Sequence, residues 1–429
     1  MNEYEAVGKA RTVLPTGRYA FYTLGPMLAL YILAAIPPHI LQTRIKQLIS
    51  LPLMICLVAM PCLYRDKNDD MFCVLCQALP FSAFQRHWDT FWIHPLLYKK
   101  DAYISPSTLN KELWSSIRCD KKVKENKRNR TNVMNKRFYH LFPSIILNSL
   151  VNDICVSYLR TFTSQDLLNI QKNHPWQAFI FFVVGITFLL ALFNMTGSII
   201  QLIHCIVVGH GSYRSGKFQL YTLTSMTIQA TFVYILDEWR NLMDYPFLSI
   251  SLEDLWSHRW HRIFRVAWVN SAFKPVYHSI RQLTGKDPKY KPLAIALATL
   301  TVFAASGITH EYIVMCNAGW TLYTGRYMGQ EMSFFVLHGV LVVIEKAMAI
   351  FLVPMLPDSI VKSPITRFAR HFYVIYTSFI TFPWFINSFA PWGLFKLQSF
   401  TPLGPILNSF LLASPYLRQY CGSLKLNSK

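Results

Sequence analysis

His310 stands about two-thirds along the apolar run Pro292 to Cys316, in the stretch Ala305-Ser306-Gly307-Ile308-Thr309-His310-Glu311. A helix over that run puts Thr309, His310 and Glu311 below the lipid headgroups. A charged residue there costs on the order of 2.5–3.5 kcal/mol, and ionisable groups at such depth are usually functional. Ser306 and Gly307, one turn earlier, leave the face beside His310 small enough for a substrate or another helix to approach closely. A neutral imidazole so placed can take a proton from a hydroxyl at pH 7. The structural alternative is a histidine that only bonds a neighbouring helix. His338, in the run Met332 to Leu356, is a weaker case of the same kind, and Glu345 and Lys346 read as a pair that neutralises itself.

A second histidine sits in Ser251-Leu-Glu-Asp-Leu-Trp-Ser-His-Arg-Trp-His-Arg-Ile-Phe-Arg. Ser251, three residues ahead of Asp254, has the spacing of a helix N-cap. At 100° per residue, Leu252, Trp256, Trp260, Ile263, Phe264, Ala267 and Trp268 share one broad arc, while His258, Arg262 and Arg265 share another. The pattern predicts an interfacial helix with His261 on the border, reaching from a wet basic surface toward an apolar cavity. A surface histidine on a lipid-hugging helix is the plainer reading.

These parts suit transfer of an acyl group from a soluble thioester to the hydroxyl of a lipophilic alcohol. A histidine takes the hydroxyl proton, donors stabilise the tetrahedral oxyanion, and basic residues hold the phosphates of a CoA leaving group. Competing signatures are missing from the sequence: it has no Gly-rich phosphate loop, His-x-x-x-Asp pair, Gly-x-Ser-x-Gly elbow or His-Glu-x-x-His helix. From another class, His310, Glu311 and His338 would also suit the proton relay of a secondary transporter, although no internal repeat marks one.

The elements that must position these groups are set by composition. The 429 residues are 52% hydrophobic and only 15% charged, against about 25% charged in soluble domains. Apolar runs of membrane length make one polytopic membrane domain over residues 1–429 the expected organisation, with the lipid bilayer as partner and nucleic acid disfavoured. The runs are Ala20 to Ile36, Ile45 to Tyr64, Met71 to Phe84, Leu141 to Leu159, Trp176 to Val208, Leu220 to Leu236, Pro292 to Cys316, Met332 to Leu356, Phe368 to Phe389 and Leu403 to Leu417. Met71 to Phe84 and Leu403 to Leu417 are short, and Trp176 to Val208 is long enough to break into two helices near Asn194, Thr196 and Gly197. The expected fold is therefore all-α, with about 8–10 spans.

The net charge of +20 is concentrated: Lys99 to Arg137 holds twelve Lys or Arg against four acidic residues, and Ser251 to Lys291 holds eight basic residues. The positive-inside rule places both loops, residues 99–140 and the polar part of 249–316, in the cytosol. Nine cysteines, mostly in apolar runs, indicate no disulfide framework. Cys73-Val-Leu-Cys76 has no second pair to complete a zinc site, so no metal is expected.

The ordered pair Ser251-Leu-Glu-Asp-Leu-Trp-Ser-His-Arg-Trp-His and Ser306-Gly-Ile-Thr-His-Glu resembles the wax synthase-like branch of the membrane-bound O-acyltransferase family. Its first motif usually reads Ser-Leu-x-x-Phe-Trp-Gly-Arg-Arg-Trp-His or -Asn; here Leu255, Ser257 and His258 depart from it. The resemblance implies a multi-helix bundle around a reaction chamber, with His310 as catalytic base and His261 orienting donor or acceptor. Trp260, Arg259, Arg262, Arg265, Ser306 and Glu311 would contact substrate or CoA. It also implies acyl-CoA as co-substrate with no permanently bound cofactor, and the endoplasmic reticulum as location. Length and the Trp-His ending are most like fungal enzymes that use acetyl-CoA to acetylate terpenoid or meroterpenoid alcohols. Esterification of long-chain alcohols, as in plant relatives, is the alternative.

Overall fold

The computed structural model describes residues 11–67, 71–113, 115–117, 130–214, 240–393 and 399–423. Among them are eight long helices: α1 (Thr16–Ala35), α2 (Thr43–Leu63), α3 (Met71–Trp88), α4 (Arg130–Leu159), α5 (Pro175–Arg214), α6 (Lys291–Ala318), α7 (Gln330–Phe351) and α8 (Pro364–Gly393). Five segments are long and apolar enough to cross a membrane: Thr43–Leu63, Leu141–Leu159, Pro175–Ile203, Pro288–Ala318 and Gln330–Met355. The protein is an all-helical, polytopic integral membrane protein. Among the described residues a small two-stranded sheet pairs β1 (Thr12–Leu14) with β2 (Tyr64–Asp66) in parallel, fastening the start of α1 to the end of α2.

Contacts at the helix ends show that the eight helices alternate in direction. The end of α1 and the start of α2 meet residues 102–104, where the Ile104 N–H donates to the Ala34 carbonyl (2.9 Å) and Lys46 to the Ala102 carbonyl (2.7 Å). The chain leaving α3 reaches Tyr98, whose ring meets that of His278 at 5.0 Å. Beyond α5, the Arg240 N–H donates to the Ile117 carbonyl (3.2 Å). On the same side, Arg370 and His371 of α8 donate to the carbonyls of Ile250 and Ser249. Both basic loops therefore share one face, as their charge predicts. The opposite face gathers the end of α2 with that of α6, where Cys62 and Cys316 lie 3.4 Å apart.

The route to this arrangement differs from the expected one. Trp176 to Val208 is not split but lies within a single 40-residue helix, about 60 Å long at 1.5 Å per residue. Its small and polar residues instead seat the incoming chain. A Cβ at Gly197 would come within 3.0 Å of Leu242, Asn194 Oδ1 accepts the Met243 N–H (3.0 Å), and Gln201 donates to the Arg240 carbonyl (3.2 Å). The described crossings between the two basic loops are thus α4 and α5, an even number; Leu220 to Leu236 lies outside the described residues. Residues 99–140 are not all loop, since Pro106–Leu113 is helical and α4 starts at Arg130. Met71 to Phe84 belongs to a full helix, while Leu403 to Leu417 divides into Gly404–Ala413 and Pro415–Arg418, too short to span.

Candidate active site

The motif segment is held by its neighbours. Ser251 Oγ accepts the Asp254 N–H (2.8 Å) as the spacing predicts. The remaining amides at this helix start point at Glu345 of α7, whose two carboxylate oxygens accept from Leu252 N (3.1 Å) and Glu253 N (2.9 Å). Glu345 does not pair with Lys346, which bonds Glu253 instead (2.5 Å). A carboxylate at a helix N-terminus satisfies orphan donors and meets the positive end of the peptide dipoles.

The continuous interfacial helix predicted from Ser251 onward is not formed. After Leu252–Asp254 the chain makes a π-helical turn, Leu255–Arg259, closed by the Trp260 N–H on the Leu255 carbonyl (2.7 Å), and Trp260 is extended with ψ 160°. Helix resumes at Arg265. Such π-helical turns re-aim side chains out of the 3.6-residue register. Trp256 projects inward, its Nε1–H donating to His338 Nδ1 (3.0 Å). The ring of His261 lies on that of Phe193 of α5, with centroids 4.5 Å apart and planes at 26°. His261 lies between spans, and burial, with the nearby His310 adding to it, lowers its imidazole to about 3. It is a neutral group at physiological pH.

His310 projects from the middle of the bundle. Its Nδ1 is 2.8 Å from the Ser306 carbonyl one turn earlier. A carbonyl only accepts, so Nδ1 carries the proton and the lone pair of the neutral ring is on Nε2. Phe335, Phe385 and Phe389 surround the imidazole with ring centroids 4.4, 5.7 and 6.3 Å away. The small residues beforehand serve helix packing: a Cβ on Gly307 would stand 3.1 Å from the Met332 Cα of α7. Thr309 is buried and tied to the motif segment by the Trp268 Nε1–H (3.2 Å).

Both histidines open onto one elongated cavity of about 860 Å³, which Trp256, Trp260 and His338 also line. Along α5 its wall runs from Ile203, toward the basic face, to Phe181, toward the far face, a rise of about 33 Å. Arg86 and Glu112 line one end, joined by two bonds of 2.9 and 2.8 Å, while Arg86 also bonds Asp89 (2.8 Å) and Thr90 (2.7 Å). Sequence reasoning missed Arg86, although an arginine closing the apolar run from Met71 was a visible signal.

Other predicted contacts fall elsewhere. Arg259 is ion-paired with Asp254 (2.8 Å) and donates to the Asp244 carbonyl (3.1 Å). Arg262 is buried and donates to the His258 carbonyl (3.3 Å), and Arg265 is exposed; none of the three lines the cavity. Ser306 acts through its carbonyl on His310. Glu311 is buried and accepts the Met332 N–H (3.0 Å) at the start of α7, so it caps that helix rather than facing the cavity.

Residues 239–337 match the family model described as membrane bound O-acyl transferase. That stretch carries both motifs and their two cavity histidines, His261 and His310, in agreement with the resemblance of the wax synthase-like branch, while Phe193, His338, Phe385 and Phe389 of the cavity wall lie outside it. A curated relative, the probable long-chain-alcohol O-fatty-acyltransferase 6 of Arabidopsis thaliana, is 31% identical over 108 residues, 24% of this chain. The matched region is about a quarter, 26%, of that relative's length. No solved structure matches the chain.

Proposed function

We propose that the protein is an O-acyltransferase that moves an acyl group from acyl-CoA to the hydroxyl of a hydrophobic alcohol. The observation that carries this reading is the His310 tautomer: Nδ1 spent on a backbone carbonyl leaves Nε2, which bonds to nothing among the described residues, as a base in an aromatic cavity shared with His261. The acceptor O–H gives its proton to Nε2 as its oxygen bonds to the thioester carbon. The tetrahedral intermediate then collapses with cleavage of the C–S bond, and the imidazolium returns the proton to the leaving thiolate, giving ester and free CoA. Acyl-CoA is a co-substrate in this scheme, and no step needs a bound cofactor. His261 orients donor or acceptor. Arg265, exposed between the lining residues Phe264 and Val266, is the motif arginine left free to meet CoA phosphates.

The basic face would then be cytosolic and the membrane that of the endoplasmic reticulum. An acetyl donor and a terpenoid or meroterpenoid acceptor rest on the fungal resemblance alone, whereas the plant relative favours a long-chain alcohol. The proton-relay alternative is disfavoured, because His338 has both ring nitrogens engaged and Glu311 caps α7. Microsomes containing the chain, given acyl-labelled CoA thioesters and a lipophilic alcohol, should form labelled ester, and His310→Ala at equal protein level should not. Proton-coupled solute uptake with no CoA requirement, and no ester from any thioester tested, would replace this reading with transport.

A further inference from the structure

The far ends of α2 and α6 carry two reactive groups that acyl transfer does not use. Cys62 is in the last turn of α2 and Cys316 in the last turn of α6, and their sulfurs stand 3.4 Å apart across 254 residues of sequence. Cys62 is half-buried and Cys316 buried. Just past Cys62 the chain enters the polar strand β2, Tyr64–Asp66, so this sulfur stands near the membrane surface rather than midway across.

The elements around the two thiols hold them together. One turn before each cysteine, the Tyr312 hydroxyl of α6 donates to the Val58 carbonyl of α2 (2.9 Å). The Tyr312 ring stacks on Phe81 of α3, with centroids 4.2 Å apart and planes at 14°. Arg11 bridges the immediate neighbours of the pair, donating to the Pro61 carbonyl (3.4 Å) and to Asn317 Oδ1 (3.4 Å). Gln77 of α3 also donates to Asn317 Oδ1 (3.0 Å). From this start, rotation of the two side chains has to close only about 1.4 Å to reach the length of a disulfide bond. The pair lies on the face opposite the basic loops. With those loops in the cytosol, it faces the oxidising side of the membrane, where disulfides persist.

We propose that Cys62 and Cys316 form a disulfide that ties α2 to the end of α6, the helix that carries His310. The oxidant is a disulfide of that compartment, such as oxidised glutathione. The Cys62 thiolate attacks it and expels one thiolate, and the Cys316 thiolate displaces the second from the mixed disulfide. One S–S bond breaks for the one that finally forms, and the two protons of the protein thiols end on the two released thiols. The proposal goes beyond the acyl-transfer reading and rests only on its placement of the basic face in the cytosol.

The test uses the full-length chain in cells quenched with acid. Thiols are blocked with N-ethylmaleimide in denaturant, and those released by reduction are labelled with iodoacetamide and located by mass spectrometry. Cys62 and Cys316 should carry the second label and Cys56 and Cys155 the first, and without reduction the Cys62 and Cys316 peptides should appear joined. In detergent, a reductant should lower the melting temperature of wild type by several degrees and leave Cys62→Ala and Cys316→Ala unmoved. The peptide measurement stands on wild type alone if either variant accumulates poorly. Maleimide on both cysteines in cells overturns the proposal: if the purified chain then forms the bond with oxidised glutathione, the error is the placement of the far face, and if it does not, the error is the pairing. Either cysteine joined to another partner also overturns it. Because no readout is ester formation, a chain that transfers no acyl group would leave the result standing.

Discussion

His310 on α6 and His338 on α7 are the same residue in the same kind of helix, each lining the same cavity, yet their ring nitrogens are used differently. His338 accepts the Trp256 indole N–H on Nδ1, so its Nε2 carries the proton and donates to Thr381 Oγ1 (2.9 Å). Thr381 in turn donates to the Thr377 carbonyl (2.8 Å). That ring is the middle of a closed chain from the motif segment to α8. Among the described residues His310 spends only Nδ1, on its own helix. Depth in the membrane made both histidines notable; under the proposed function, what separates a base from a fastener is whether a nitrogen is left over.

The contrast can be broken most severely at His310. His310→Ala should cut turnover by about 10²–10⁴-fold, the usual share of general-base catalysis, with accumulation unchanged, as read by labelled-ester formation at matched protein level. Next comes His261. If it orients by hydrogen bonding, His261→Asn should hold turnover within roughly tenfold of wild type, about one hydrogen bond, while His261→Ala falls further. A collapse of the Asn variant equal to that of Ala would give His261 a proton-transfer role.

His338→Ala should act on the fold more than on the chemistry. It strands the half-buried Trp256 donor and should cost about 1–3 kcal/mol of stability, measured as a lower melting temperature in detergent. Smallest is Glu345→Gln, which leaves one of the Leu252 and Glu253 amides facing an NH₂ group. It should cost on the order of 1 kcal/mol, as a lost helix cap does. Turnover loss there should track loss of folded protein.

Much of this was legible in the chain. The all-helical membrane class and the shared basic face followed from apolar length and charge, and Ser251 capped where its spacing said; the span count did not follow, because Trp176 to Val208 stays one helix and Leu403 to Leu417 is two short ones. His310 stood out because an ionisable group at that depth is expensive. What could not be read was long-range bonding. Gly197 and Asn194 look like helix breakers until Leu242 and Met243 are seen packed against them. Periodicity put Trp260 and His261 on a continuous helix because 3.6-residue arithmetic cannot anticipate a π-helical turn, here one that follows a helix start whose amides are held by Glu345, 92 and 93 residues away. Arg259, Arg262 and Arg265 looked equivalent in sequence, and their partners separate them: Asp254 claims the first and burial the second.

The central claim is that a free Nε2 on His310 is the base. Labelled-ester formation by His310→Ala and His338→Ala, compared in the same microsomal assay at equal folded protein, tests it most directly. The account predicts a loss of at least a hundredfold for His310→Ala and a loss within roughly tenfold for His338→Ala. Turnover by His310→Ala equal to or above that of His338→Ala would contradict it.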